Sequence, residues 1–193
     1  MRIITGSARG VRLLSPEGDS TRPTSERVKE AIFSALQFEI AGRRVLDLFA
    51  GSGQLGLEAL SRGAETAVFV DASPDALAVC RENARRTRLT DRCRFQPADY
   101  RNYLRKATRA RPADATPQSG LFDLIFIDPP YAMGAVPDAL RRICEEGLAA
   151  PGCLIVCEGG EPRDPDTLPP GLTLRRAARY SISYVTLLER SAT

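Results

Sequence analysis

The sequence predicts an α/β protein: a mostly parallel, doubly wound sheet with a C-terminal antiparallel hairpin at one edge and a small hairpin-plus-helix extension at the N-terminus. Three observations carry this. From residue 44 onward, short apolar runs alternate with stretches of helical periodicity. The runs "RVLDLF", "TAVFVD", "LFDLIFID" and "CLIVCE" are nearly continuous in apolar residues, as in strands covered on both faces. The final stretch, "LTLRRAARYSISYVTLLER", reads instead as two antiparallel strands. Right-handed crossovers then place a ligand at the carboxyl ends of the parallel strands, where the winding reverses. Residues 1–40 are expected to form the extension and residues 41–193 the α/β body.

Each element follows from local chemistry. The runs "RII" and "VRLL", split by "TGSARG", predict a hairpin. In "STRPTSERVKEAIFSAL", Pro23 and Thr24 mark a helix start, and Val28, Ala31, Ile32, Ala35 and Leu36 share one face. "RVLDLF" is the first strand, and "GQLGLEALSR" a helix closed by Gly63. After "TAVFVD", Ser73 caps a helix that has Pro74 at its first position and runs through "DALAVCRENARR". "RFQPA" is a third strand, followed by a helix around "YRNYLRKA". Residues 107–120, "ATRARPADATPQSG", read as a surface loop. "LFDLIFID" is the most apolar strand; a helix near 136–147 and the strand "CLIVCE" follow.

Composition bounds the chemistry. A chain of 193 residues, 43% apolar and 26% charged, can bury a sizeable core. No apolar run approaches the roughly 18–20 residues of a membrane span, and "MRIITGSARG" has no apolar core of signal-peptide length. A cytoplasmic protein is expected. The five cysteines, Cys80, Cys93, Cys144, Cys153 and Cys157, have no framework or chelating spacing and read as small buried thiols; no metal is expected. The chain has no histidine, which removes Ser-His-Asp hydrolysis, HExxH zinc chemistry and histidine general-base catalysis. The net charge of +3 resides in residues 1–29, where Arg2, Arg9, Arg12, Arg22, Arg27 and Lys29 face Glu17, Asp19 and Glu26. A basic arm on a neutral body fits a polyanionic partner, and an ordinary solvated surface fits the same charges.

The stretch "VLDLFAGSGQLGLEAL" contains G-x-G-x-x-G at Gly51, Gly53 and Gly56, with Asp71 20 residues after the first glycine. By pattern this is a dinucleotide fingerprint. Asp47, at the end of the preceding strand, is a poor neighbour for a pyrophosphate and a good one for a cation. S-adenosylmethionine has no phosphate and carries a sulfonium and an ammonium. Asp71 suits ribose hydroxyls in either reading. Downstream, "IDPPY" (127–131) sits where the fourth parallel strand ends. Pro129 and Pro130 stiffen the turn and leave Asp128 and the Pro129 carbonyl as acceptors beside the ring of Tyr131. That trio matches an exposed base with an exocyclic amino group. A plain strand-to-loop turn is the competing reading.

"DLFAGSGQLGLEAL" with "DPPY" resembles the class I S-adenosylmethionine-dependent methyltransferases that modify exocyclic amines. "MRIITGSARGVRL" followed by "RPTSERVKEAIFSAL" resembles, more narrowly, the bacterial 16S rRNA guanine-N2 methyltransferase family of RsmD type, across nearly the whole chain. The resemblance implies a Rossmann-like methyltransferase fold. It implies a cofactor site of Asp47, Phe49, Gly51, Gly53, Asp71, Ala72, Asp99, Tyr100 and Asp128, with Asp99 at the adenine amino group. Asp128, Pro129, Pro130 and Tyr131 would hold the target guanine. The basic elements, Arg9, Arg12, Arg22, Thr24, Arg27 and Lys29, would grip 16S rRNA in the 30S subunit or its precursor. A monomer is expected, since the RNA surface is large and asymmetric. For Arg22 a salt bridge at the helix start is an equal alternative. Asp71 stands where the family usually has Glu, and Thr5 and Ser181 where glycine is common. The alternatives are an adenine-N6 methyltransferase on DNA or RNA, which D-P-P-Y serves equally, and an RNA-binding assembly factor without catalysis, against which the intact set of Asp47, Asp71, Asp99 and Asp128 argues; a NAD oxidoreductase is disfavoured by Asp47, by D-P-P-Y and by the missing substrate domain.

Overall fold

The computed structural model describes residues 1–16, 23–109, 120–159, 164–180 and 183–191. Helix α1 (Pro23–Ala35) leads into β1 (Arg44–Asp47), α2 (Gln54–Ser61), β2 (Thr66–Asp71), α3 (Pro74–Arg86), β3 (Cys93–Pro97) and α4 (Tyr100–Arg109). Then come β4 (Phe122–Ile127), α5 (Val136–Glu145), β5 (Ala149–Gly159), β6 (Leu172–Tyr180) and β7 (Ser183–Arg190). The seven strands form one sheet in the order β3-β2-β1-β4-β5-β7-β6. Pairing is parallel from β3 to β5 and antiparallel at β5–β7 and β7–β6. The expected terminal hairpin thus forms one edge, and the winding reverses between β1 and β4. The N-terminal hairpin forms as an isolated antiparallel bridge, Arg2 to Arg12, with Ile3 N–H donating to Val11 O and Leu13 N–H to Met1 O.

Two apolar layers flank the sheet. On one face α1, α2 and α3 bury Val28, Ile32, Phe33, Leu57, Leu60, Leu77 and Cys80 against Val45, Phe69 and Phe126. On the other, α4 and α5 bury Tyr100, Leu104, Leu140 and Ile143 against Leu46, Val70, Ile125 and Ile155. Strand alternation explains the division, since consecutive residues of β1 and β4 face opposite layers. The helices seat themselves by the predicted signals: the Ser73 hydroxyl accepts Ala76 N–H at 3.2 Å, with Pro74 in the first turn of α3.

Three sequence expectations shift. Strand β5 begins at Ala149, before "CLIVCE", and its pairing with β4 skips register between Phe122 and Leu124. Residues 107–109 of the expected loop continue α4, and residues 110–119 of that loop, like Ser181, lie outside the described residues. Phe33, absent from the predicted face of α1, is buried with its ring 5.7 Å from Phe126. The five thiols are free, with Cys80, Cys153 and Cys157 buried and Cys93 and Cys144 partly so. Among the described residues, no helix is long and apolar enough to cross a membrane.

Candidate active site

Register assembles the site. Asp47 of β1 is level with Phe69 of β2 and Phe126 of β4, so Phe49, two residues on, reaches the level of Asp71 and Asp128. Asp71 is level with Pro97, which places Asp99 just beyond the end of β3. Acidic residues from four adjacent strands therefore meet at one carboxyl edge, around the reversal point. The chain beyond β1 stays pinned to both neighbours: Leu48 N–H donates to Phe126 O at 3.1 Å, and Ala50 N–H to Val70 O at 2.9 Å.

Between β1 and α2 the glycines act in different ways. Gly51 and Gly53 hold φ of +52° and +79°, which residues with a β-carbon rarely adopt. At Gly51 an added Cβ would meet nothing within 4 Å, so this stretch of backbone borders open space. At Gly53 it would lie 2.4 Å from Cys80 Sγ, and at Gly56 2.4 Å from the Phe69 ring. The third glycine of the fingerprint is thus a packing requirement between α2 and β2, whereas the first leaves room for a ligand against the backbone.

The two strand-end aspartates brace this loop from below. Asp71 accepts Gly51 N–H through Oδ2 and Ser73 N–H through Oδ1, both at 2.8 Å. Asp47 is 1% exposed and accepts the Gly56 N–H at 3.0 Å through Oδ2, in the first turn of α2. Its Oδ1 is buried without a partner. Burial pushes the Asp47 carboxyl up to about 7; the Gly56 N–H opposes this, and the Asp71 charge adds to it. A half-satisfied carboxylate beneath a loop that borders open space is the donor set a cationic ligand requires, and a pyrophosphate would be repelled by it. The Gln54 Oε1, at the start of α2, is likewise buried without a partner.

The opposite wall joins α4 to α5. The rings of Phe49 and Tyr100 lie 5.1 Å apart. Tyr100 OH donates to Asp138 Oδ2 at 2.8 Å, and Arg101, Arg141 and Arg142 also donate to this carboxylate. Desolvation acts to raise the Asp138 pKa, and the four donors outweigh it, holding the carboxyl well below its usual range. Burial and the Asp138 bond push Tyr100 up to about 12, so the phenol stays protonated. Asp99 caps α4, with Oδ1 accepting Arg101 N–H at 2.9 Å and its carbonyl accepting Tyr103 N–H at 3.0 Å. Ala72 is exposed at the tip of β2. Beyond β4, Asp128 is half-buried, Pro129 buried and Pro130 exposed, and the turn Tyr131–Met133 closes with Met133 N–H donating to Pro130 O at 2.9 Å. The Tyr131 side chain lies outside the described residues.

The basic arm departs from expectation at one residue. Lys29 is 1% exposed, donates to Arg2 O and lies 3.7 Å from Glu58. Burial holds its pKa below the usual value against the pull of Glu58. It is a buried tether and does not present its charge to RNA. Arg12 and Arg27 are exposed. Arg9 is exposed in the hairpin turn, whose Ser7 and Ala8 N–H groups donate to Ser61 at the far end of α2, roughly 12 Å of helix from the glycine loop. Arg22 and the side chain of Thr24 lie outside the described residues.

Two residues that the sequence does not announce fasten the arm to the body, one of them at the glycine loop. Glu58, fully buried, accepts Ile4 and Thr5 N–H at 2.7 and 3.0 Å and Arg62 Nε at 2.8 Å. Asn83, also fully buried, accepts Leu14 N–H at 2.8 Å and donates to Leu14 O and to Ser52 O, in the glycine loop, both at 2.9 Å. The available signal was a charge within the apolar run "LGLEAL" and a mid-helix Asn, a weak helix former.

A parallel sheet reversing at β1/β4, an antiparallel β7 between β5 and β6, and an acid-braced glycine loop define the Rossmann-like fold of class I methyltransferases. The yhhF protein of Escherichia coli has this structure, with a TM-score of 0.83 and 30% identity over 100% of this chain and 99% of that one. The chain belongs to the family described as "Conserved hypothetical protein 95", matched over residues 1–189, which is the RsmD-type family its motifs resemble. The YlbH protein of Bacillus subtilis is 38% identical over 98% of this chain and 99% of its own. Ribosomal RNA small subunit methyltransferase D of Escherichia coli is 31% identical over 91% of this chain and 83% of its own.

Proposed function

We propose that this chain transfers a methyl group from S-adenosylmethionine to the exocyclic N2 of one guanine in 16S rRNA, on the small ribosomal subunit or an assembly intermediate, acting as a monomer. The fold and family carry S-adenosylmethionine as cofactor. A relative named for small-subunit ribosomal RNA, similar over nearly the whole chain, supports the substrate class. The observation that carries the chemistry is the convergence of Asp47, Asp71 and Asp128 on one edge, with a buried unpaired oxygen on Asp47 and the Asp-Pro-Pro-Tyr turn alongside.

The residues present divide the task. Asp47 meets positive charge from beneath the loop, and Asp71 and Asp99 supply acceptors for hydroxyl and amino groups. When bound, the cofactor provides a methyl carbon already activated by the sulfonium charge. Asp128 and the Pro129 carbonyl accept the N2 protons of the target, drawing a delocalised lone pair toward a tetrahedral geometry. The buried Pro129 and the fixed φ of both prolines hold that acceptor pair still, and Tyr131 holds the plane of the base. The methyl would pass to N2 as its bond to sulfur breaks, leaving a neutral thioether, and one of the N2 protons held at Asp128 and the Pro129 carbonyl would then be lost to water. Alignment of this kind contributes roughly 7–11 kcal/mol, and no histidine is needed because N2 becomes acidic only as the bond forms. Replacing Asp128 with Ala is expected to lower turnover by at least ~100-fold while calorimetry shows cofactor binding largely retained. Near-normal turnover would refute the acceptor role.

A further inference from the structure

Helices α2, α3 and α5 end in the same way. In each, the third residue past the helix returns its N–H to the carbonyl five positions back: Ala64 to Ala59 O, Leu89 to Ala84 O and Leu148 to Ile143 O. The residue before it closes the shorter bond, Gly63 to Leu60 O, Arg88 to Arg85 O and Gly147 to Cys144 O. This is a Schellman ending, whose penultimate residue is left-handed and ordinarily glycine. Gly63 and Gly147 meet that rule with φ of +99° and +60°. Arg88 breaks it with φ +58°, and among the described residues it alone has a positive φ without being glycine.

Arg88 does not stand alone. The segment 81–94 holds Arg81, Arg85, Arg86, Arg88, Arg92 and Arg94 against only Glu82 and Asp91. Arg81, Arg85, Arg86 and Arg88 are all exposed. Arg81 lies over the Phe95 ring at 4.5 Å, and Arg85 pairs with Glu82 at 2.8 Å. Arg86 and Arg88 make no ion pair or side-chain hydrogen bond among the described residues. Arg92 gives one nitrogen to Ala64 O, which fixes its stem on the body. This charge is carried by α3 on the same side of the sheet as the N-terminal hairpin, which is stitched to α3 through Leu14 and Asn83. It lies at the end of a helix of 13 residues that starts at the site, so roughly 20 Å from the carboxyl edge.

We infer that the end of α3 is a second RNA-contacting surface, in which Arg85, Arg86 and Arg88 meet phosphates of the RNA whose base enters the site. This rests on the proposed action on RNA and adds where that RNA runs: from the carboxyl edge along the α3 side of the molecule, past the exposed hairpin arginines. Planar guanidinium groups carried exposed on a rigid helix end, two of them without an ion pair among the described residues and Arg85 sharing Glu82, suit phosphate oxygens. A left-handed arginine where its two counterparts are glycine is a stability cost retained for its side chain.

The test uses the full chain and a labelled structured fragment of 16S rRNA, with affinity measured across a salt series and thermal melting alongside. Arg88→Gly removes the charge and relieves the backbone, so it is expected to raise Tm while weakening RNA binding. Neutralising all three, R85Q with R86Q and R88G, is expected to weaken binding about tenfold or more at low salt. The same variant is expected to flatten the log–log salt slope by about 0.7–0.9 per lost contact. Cofactor affinity is expected to stay unchanged. A raised Tm with unchanged RNA affinity and slope overturns the inference, as does a fall in Tm for Arg88→Gly. Absence of methyl transfer by the wild-type chain, with the slope difference intact, refutes the proposed function and leaves this surface standing.

Discussion

Replacing Asp47 with Asn separates what the site costs the fold from what it does for a ligand. Asn keeps the shape and an acceptor for Gly56 N–H, and removes the buried charge. The Asp47 carboxyl is raised from 3.8 to about 7 in the fold. Its ionised form is therefore disfavoured by folding: the penalty is fully present above pH 7, fades as pH falls and is gone below about 4. Three pKa units at 1.36 kcal/mol each give a penalty of about 4 kcal/mol at pH 8 and under about 2 kcal/mol at pH 5. The ligand-free Asn variant is thus expected to melt roughly 10 °C higher than wild type at pH 8, with a clearly smaller gain at pH 5. The cost has a counterpart in binding, since a cation over Asp47 Oδ1 recovers the charge. The variant is expected to lose cofactor affinity at pH 8, and wild-type affinity to weaken as pH falls below 7. Thermal melts and calorimetry at both pH values supply the numbers. A stability gain independent of pH, or undiminished cofactor affinity in the variant, would show that Asp47 is neither a buried charge in the fold nor a partner for a cation.

Three further outcomes follow from the same contacts. Asn83→Ala strips partners from Leu14 N–H and O and from Ser52 O, and is expected to cost about 2–4 kcal/mol by denaturant titration, with faster hydrogen exchange at Leu14. Glu58→Ala leaves Lys29 a buried unpaired cation and is expected to destabilise by about 3–5 kcal/mol, with the Ile4 and Thr5 amides losing exchange protection. Asp138, whose pKa is held low, adds stability above its unfolded pKa that is lost as pH falls through the acid range; Asp138→Asn is expected to cost about 1 kcal/mol at pH 7 and nothing at the lowest pH, read from unfolding across that range.

Much of the architecture is legible because its signals are local. β2 begins and ends where "TAVFVD" does, and Ser73-Pro74 caps α3 as written. The carboxyl-edge acids are legible because each closes an apolar run, and strand order converts that position into proximity. What escapes the sequence is pairing across distance. Lys29 looks like one more cation of a basic arm; its burial depends on Glu58, 29 residues away, and on the Arg2 carbonyl. Gly56 looks like part of a ligand loop, and only the position of the Phe69 ring shows that it is packing. Arg88 carries no signal of its own in the sequence, and only its backbone, set beside Gly63 and Gly147, marks it. In each case the residue type is visible and the partner that decides its role is not.

Guanine-N2 methylation of 16S rRNA can be read from methyl transfer by radiolabelled S-adenosylmethionine to the RNA, naked and in 30S particles, followed by nucleoside analysis. Label is expected in N2-methylguanosine, on one form of the RNA at least. Label in N6-methyladenosine, or none on either form while the cofactor binds tightly, would contradict it.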